Sequence, residues 1–216
     1  MTKIAVKNQP ITEPKLQRIN NGKQKRIGIM GGTFNPPHIG HLMVADQVLN
    51  QLSLDKILFL PDSKPPHVDS KGAIAANDRV EMVRRAIIDH RNFELGLMEV
   101  NRGGVSYTYD TIRALTISHP ENRYYLIIGA DMVNYLPKWH KIEQLVQMVQ
   151  LVGVCRKGYE KKSVYPVIWV NMPATDVSST WIRNTIRHHG SVRYFVPDLV
   201  LQYIEEKGLY QDEADK

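Results

Sequence analysis

Short apolar runs alternate with stretches of helical periodicity along almost the whole of this chain, and that alternation admits few folds. Arg26-Ile27-Gly28-Ile29-Met30 ends at Gly31-Gly32, the pattern of a buried strand entering a tight loop. From His41 to Leu52, apolar residues at 42, 45, 48, 49 and 52 recur on one helix face, and Lys56-Ile57-Leu58-Phe59-Leu60 supplies a second strand stopped by Pro61. Asp62 to Asn77 reads as a long loop of the kind that is functional or mobile, after which Asp78-Arg79-Val80-Glu81 reads as a capping box opening a helix to about His90. The pattern continues with a strand around Phe93 to Val100, the loop Asn101 to Gly104, a helix from about Thr108 to Ser118 and a strand from Tyr124 to Ile128. A helix near Lys141 to Gln147 and strands at about Leu151 to Cys155 and Val167 to Asn171 follow. Ser178-Ser179 then cap a helix reaching His188, and a last helix opens with Pro197 and stops at Gly208. The prediction is an α/β fold with a doubly wound, mostly parallel sheet, whose ligand sites lie at the carboxyl ends of its strands.

Length and composition agree with one such domain, placed over residues 26–212. The 216 residues, 43% hydrophobic and 23% charged, suffice for a single well-buried core. No apolar run approaches the roughly 18 residues of a membrane span. The N-terminus lacks the apolar block of a secretory signal, which points to a cytoplasmic protein. Cys155, the single cysteine, lies in an apolar run and reads as a buried structural thiol. The formal charge of +6 raises the question of nucleic acid, but residues 1–26 hold seven Lys/Arg against the lone acid Glu13 and leave the remainder balanced. A neutral body with a basic tail is not the footprint of a DNA or RNA binder, so residues 1–25 read as a disordered basic extension.

Two segments carry chemistry. Gly31-Gly32-Thr33-Phe34-Asn35-Pro36-Pro37-His38-Ile39-Gly40-His41 lies between the first strand and the first helix. Glycines let backbone approach a ligand closely, and a helix N-terminus offers N–H groups and a positive dipole end to an anion. His38 and His41 flank Gly40, so both imidazoles are able to face one phosphate. The glycine spacing is neither that of a dinucleotide fingerprint nor that of a P-loop. The other segment, Val177-Ser178-Ser179-Thr180-Trp181-Ile182-Arg183, joins a helix cap to a guanidinium one turn on, again suited to an anion.

The pattern T-F-x-P-x-H-x-G-H between the first strand and helix is similar to the signature of nucleotidyltransferases that move an AMP or CMP unit. The segment from Val177 to Arg183 resembles the ISSTxIR motif of the same HxGH superfamily. Class I aminoacyl-tRNA synthetases also carry an HIGH element, but this chain is too short for them and lacks their lysine-rich motif. Family members commonly have Asp where this chain has Asn35, a change that keeps size and hydrogen bonding but removes charge. Ser106-Tyr107-Thr108-Tyr109-Asp110-Thr111-Ile112, Gly129-Ala130-Asp131 and Leu136-Pro137-Lys138-Trp139-His140 resemble the blocks of bacterial nicotinate-nucleotide adenylyltransferases. The resemblance spans residue 27 to about 210 and implies the nucleotidyltransferase version of the Rossmann-like fold.

By that resemblance ATP meets Gly31, Gly32, Thr33, Phe34, His38, Gly40, His41, Ser178, Ser179, Thr180 and Arg183, with His38, His41 and Arg183 as the catalytic groups. Thr108, Trp139 and His140 would hold the nicotinate end, Asp131 a ribose or the bound nucleotide, and Lys64 belongs to a loop near the substrates. The implied partners are ATP and nicotinate mononucleotide, joined to give deamido-NAD and pyrophosphate. Mg²⁺ is carried with ATP, there is no dedicated metal site, and a homo-oligomer is left open. Adenylyl transfer to nicotinamide mononucleotide or phosphopantetheine, and a non-catalytic nucleotide-binding protein, are the alternatives.

Overall fold

Strand β1 (Arg26–Gly32) is the hub of the molecule, hydrogen-bonded in parallel to β2 (Lys56–Pro61) on one side and β4 (Arg123–Gly129) on the other. The computed structural model describes residues 24–64, 73–155, 161–173 and 175–211. The expected tail lies outside these, apart from its last two residues, as do Pro65, Pro66 and His67 of the loop that follows Lys64. β3 (Phe93–Leu95) flanks β2, while β5 (Val149–Cys155) and β6 (Val167–Asn171) extend the sheet beyond β4. The six strands run in the order β3-β2-β1-β4-β5-β6, and every pairing is parallel. The chain moves outward from β1 to β3, returns to the centre and moves outward the other way. The reversal lies between β1 and β4, where a crevice opens beyond the carboxyl ends.

Both faces of the sheet are buried, as parallel strands with helical crossovers require. Strand residues alternate between the two sides. Met30, Ile57, Phe59, Tyr125, Ile127 and Val152 pack against α1 (Ile39–Gln51) and α2 (Ala76–Ile87). Ile27, Ile29, Tyr124, Leu126, Ile128 and Leu151 face α4 (Thr108–Ser118), the short α5 (Ala130–Val133) and α6 (Ile142–Met148). Ile112 of α4 has no exposed surface, and truncating such a side chain to alanine costs about 2–5 kcal/mol. A third cluster joins Met82 of α2 to Ile182 of α7 (Ser179–Arg187) and to Val200, Tyr203 and Ile204 of α8 (Asp198–Lys207). Cys155, a free thiol at the end of β5, is buried as expected.

Three local expectations are corrected. The helix after the long loop starts at Ala76, so Asp78 lies in its first turn rather than at its cap, and its carboxylate accepts the Tyr203 hydroxyl at 2.8 Å. The strand from Phe93 ends at Leu95: Gly96 N–H still bonds the Phe59 carbonyl at 2.8 Å, and then the chain leaves the sheet for a short helix, α3 (Met98–Arg102). The first helix begins at Ile39, two residues before the expected start, because His38 is extended and serves as its N-cap.

Candidate active site

The loop after β1 is tightly shaped. Phe34 has φ of 50°, the Asn35–Pro36 peptide is cis, and His38 returns to an extended conformation before α1 begins. The Phe34 ring is buried, edge-on to His41 at 5.1 Å between centroids and 5.9 Å from Phe59. The His38 and His41 rings lie 3.8 Å apart. A side chain on Gly40 would bring its Cβ to 3.0 Å from the His38 ring, so glycine is what lets that imidazole lie over the helix start. His41 Nδ1 accepts the His38 backbone N–H at 3.1 Å. A ring nitrogen that accepts carries no proton, which makes the Nε2–H of a neutral His41 its donor.

The serine-arginine motif closes onto this loop. Ser178 Oγ accepts the Trp181 N–H at 3.2 Å and so caps α7. The Ser179 hydroxyl donates to the Pro36 carbonyl at 2.8 Å. Arg183 donates from Nη1 to the Asn35 carbonyl at 2.8 Å and from Nη2 to Thr180 Oγ1 at 3.3 Å. The N-termini of α1 and α7 therefore stand side by side.

Two cavities flank the β1/β4 switch point and meet over Gly31, Ile127, Ile128 and Trp139. The larger, about 510 Å³, is bordered by His38, Gly40, His41, Asp131, Ser178 and Ser179. The smaller, about 180 Å³, is bordered by Gly32, Ser106, Thr108, Glu99, Trp139 and His140. Thr108 is the first residue of α4, and the N-cap, Tyr107, offers no capping side chain. Tyr107 and Thr108 both border the smaller cavity, which therefore lies at the N-terminal, positive-dipole end of α4. The His140 ring lies 4.6 Å from that of Tyr107. Trp139 Nε1 is buried and has no hydrogen-bond partner among the described residues.

The sequence-derived residues divide accordingly. Gly31, Gly32, His38, Gly40, His41, Ser178, Ser179, Thr108, Asp131, Trp139 and His140 border the cavities, whereas Thr33, Phe34, Thr180, Arg183 and Lys64 do not. The Thr33 hydroxyl turns inward to Asp62 Oδ2 at 2.8 Å, and Lys64 is exposed, pairing through its backbone with Val105 and Ser106.

Two buried groups escape sequence reasoning. Arg79, 2% exposed, donates to the carbonyls of Ile74, Thr33, Asp62 and Ser63 and to Asp62 Oδ1 at 3.1 Å, tying the loops after β1 and β2 together. Glu99 borders the smaller cavity, where Thr111 donates to it at 2.7 Å and Arg102 in turn donates to Thr111 at 2.9 Å. Burial raises its pKa, against the opposing pull of hydrogen bonds from Thr111 and Ser106 and of the Arg102 charge. The signal available for Arg79 is its place on the apolar side of an amphipathic helix, where an arginine has to be paired.

Helix N-termini converging on the switch point of a parallel sheet, with paired histidines between them, define a nucleotide-binding α/β transferase. The sequence model of the cytidylyltransferase-like family matches residues 29–185. A "Probable nicotinate-nucleotide adenylyltransferase" of Lactiplantibacillus plantarum is 51% identical over 204 residues, covering 94% of this chain and 97% of that protein. One of the same name from Streptococcus mutans is 51% identical over 203 residues, covering 94% and 97%. The solved structure of the Plasmodium falciparum nicotinic acid mononucleotide adenylyltransferase complexed with NaAD superposes with a TM-score of 0.74 at 20% identity, covering 87% of this chain and 98% of that one, a likeness of fold. The chain belongs to the cytidylyltransferase-like family, and within it to the nicotinate-nucleotide adenylyltransferases.

Proposed function

We infer that this protein transfers the adenylyl group of ATP to nicotinate mononucleotide, forming nicotinate adenine dinucleotide (deamido-NAD) and pyrophosphate. The observation that carries this reading is the pair of cavities joined over Gly31, one at the N-termini of α1 and α7 and the other at the N-terminus of α4. Each half suits an anion: the triphosphate in the larger, the nicotinate carboxylate in the smaller.

An oxygen of the acceptor's 5′-phosphate attacks the α-phosphorus in line. The bond from that phosphorus to the α,β-bridging oxygen breaks, and its electron pair leaves with pyrophosphate. The attacking phosphate is already ionised at neutral pH, so no side chain has to remove a proton. The protein's work is to hold two anions together and to stabilise charge on the reacting and leaving oxygens. His41, with Nε2–H as its donor, is assigned to the reacting phosphate and His38 to the triphosphate beside it. Arg183 braces the loop and adds its charge near the leaving phosphates. Mg²⁺ enters as MgATP. The ion would be held mostly by phosphate oxygens and water, and would offset charge on the reacting phosphates. Thr108, the α4 amides, Trp139 and His140 are assigned to the nicotinate end, Asp131 to a ribose and Lys64 to the rim.

The test is the initial rate of dinucleotide formation with nicotinate mononucleotide, nicotinamide mononucleotide and phosphopantetheine in parallel. Nicotinate mononucleotide should react at least about tenfold faster, the worth of one charge-assisted hydrogen bond to its carboxylate. Equal rates, or a fastest rate with phosphopantetheine, would contradict the acceptor assignment.

A further inference from the structure

Asn35 is 5% exposed and stands next to Phe34, whose left-handed backbone an L residue holds only when its surroundings enforce it. The enforcement is visible. Arg79 from α2 grips the Thr33 carbonyl at 2.8 Å, Arg183 from α7 grips the Asn35 carbonyl, and Ser179 grips the Pro36 carbonyl. A fourth bond comes from the far end of the chain, where the Tyr210 hydroxyl donates to Asn35 Oδ1 at 2.8 Å.

The delivery of Tyr210 is built into the end of α8. Gly208 takes a left-handed C-cap with φ of 58°, and Leu209 N–H returns to the Ile204 carbonyl at 2.9 Å, turning the chain back on itself. Tyr210 itself has φ of 64° and packs into the cluster formed by α2, α7 and α8. Burial raises the pKa of its hydroxyl, so the proton needed for the bond is kept. Asn35 is suited to receive it: the amide oxygen accepts as an aspartate would, without placing a charge in a buried loop.

We propose that Tyr210 is a positioning residue for the phosphate loop, its hydroxyl fixing Asn35 so that the adjoining Phe34 ring stays edge-on against His41. The path is short: Tyr210 to Asn35 at 2.8 Å, one peptide to Phe34, and 5.1 Å from that ring to the His41 ring. The proposal rests on the assignment of His41 to the reacting phosphate.

Tyr210→Phe removes one oxygen and keeps the packed ring. It should lower kcat about tenfold, on the scale of one lost hydrogen bond, while KM for nicotinate mononucleotide stays within about twofold. The ¹⁵N shifts of the His41 ring should move in Tyr210→Phe and stay put in Tyr194→Phe, a control at a side chain 81% exposed. His41→Ala is assayed alongside. If Tyr210→Phe keeps the parent kcat while His41→Ala loses it, the positioning role is wrong. A proportional fall in active protein, with kcat per folded molecule and the His41 shifts unchanged, would reduce Tyr210 to a structural residue and also overturn the proposal. If His41→Ala remains fully active, the assignment of the loop fails first, and the proposal falls with it.

Discussion

Arg79 shows how much of a nucleotide site is architecture. Its guanidinium is enclosed among carbonyls and one carboxylate supplied by both loops that shape the crevice. Removing one partner of a buried ion pair strands the other, so Arg79→Ala should cost about 3–5 kcal/mol in denaturant unfolding, far more than loss of a surface pair such as Arg84–Glu81. Glu99 makes a different prediction. Its folded pKa is raised, so it releases its proton less readily folded than unfolded, and stability falls as pH rises from its ordinary value near 4.5 through the raised one. The melting temperature of the parent relative to Glu99→Gln should therefore decline between acid and neutral pH; a constant difference would mean that Glu99 is not shifted. The histidine and serine motifs are legible in the sequence because their members are consecutive. Arg79, Glu99 and Tyr210 are not, because their partners lie up to 175 residues away and only the folded chain brings them together.

At the level of elements, the site is made by helix starts. α1, α4 and α7 each begin at a cavity wall, and α7 is fixed there by the Ser178 cap. Ser178→Ala should destabilise by about 1 kcal/mol, measured by thermal unfolding, and should also weaken ATP binding, because the cap orients the amides at the cavity. Full stability with unchanged binding would mean the cap plays no part. Most elements are readable from periodicity, since strands buried on both faces and amphipathic helices carry strong patterns. Sequence and structure part where the pattern is ambiguous. Phe93 to Val100 is apolar enough for one strand, yet it divides at Gly96 into a three-residue strand and a helix. Asp78 and Glu81 have capping-box spacing, but the helix starts earlier and Asp78 is engaged by Tyr203.

For the molecule as a whole, the order β3-β2-β1-β4-β5-β6 puts the histidine motif, after β1, and the Gly129-Ala130-Asp131 turn, after β4, on opposite lips of one crevice. The sequence predicts parallel strands but not their order, because adjacency depends on which crossover goes which way. Once that order is known, the C-terminal segment from Ser178 to Tyr210 has a clear place, bracing the loop after β1 through Ser179, Arg183 and Tyr210 while Arg79 of α2 holds it at Thr33. Among the described residues no helix is long and apolar enough to cross a membrane.

The most direct measurement is to incubate the purified protein with MgATP and nicotinate mononucleotide and to quantify nicotinate adenine dinucleotide and pyrophosphate together, for the parent and for His41→Ala. Equal amounts of the two products from the parent, formed roughly 10²-fold more slowly by the variant, are the predicted result. ATP binding without pyrophosphate release, or a His41→Ala rate equal to that of the parent, would contradict it.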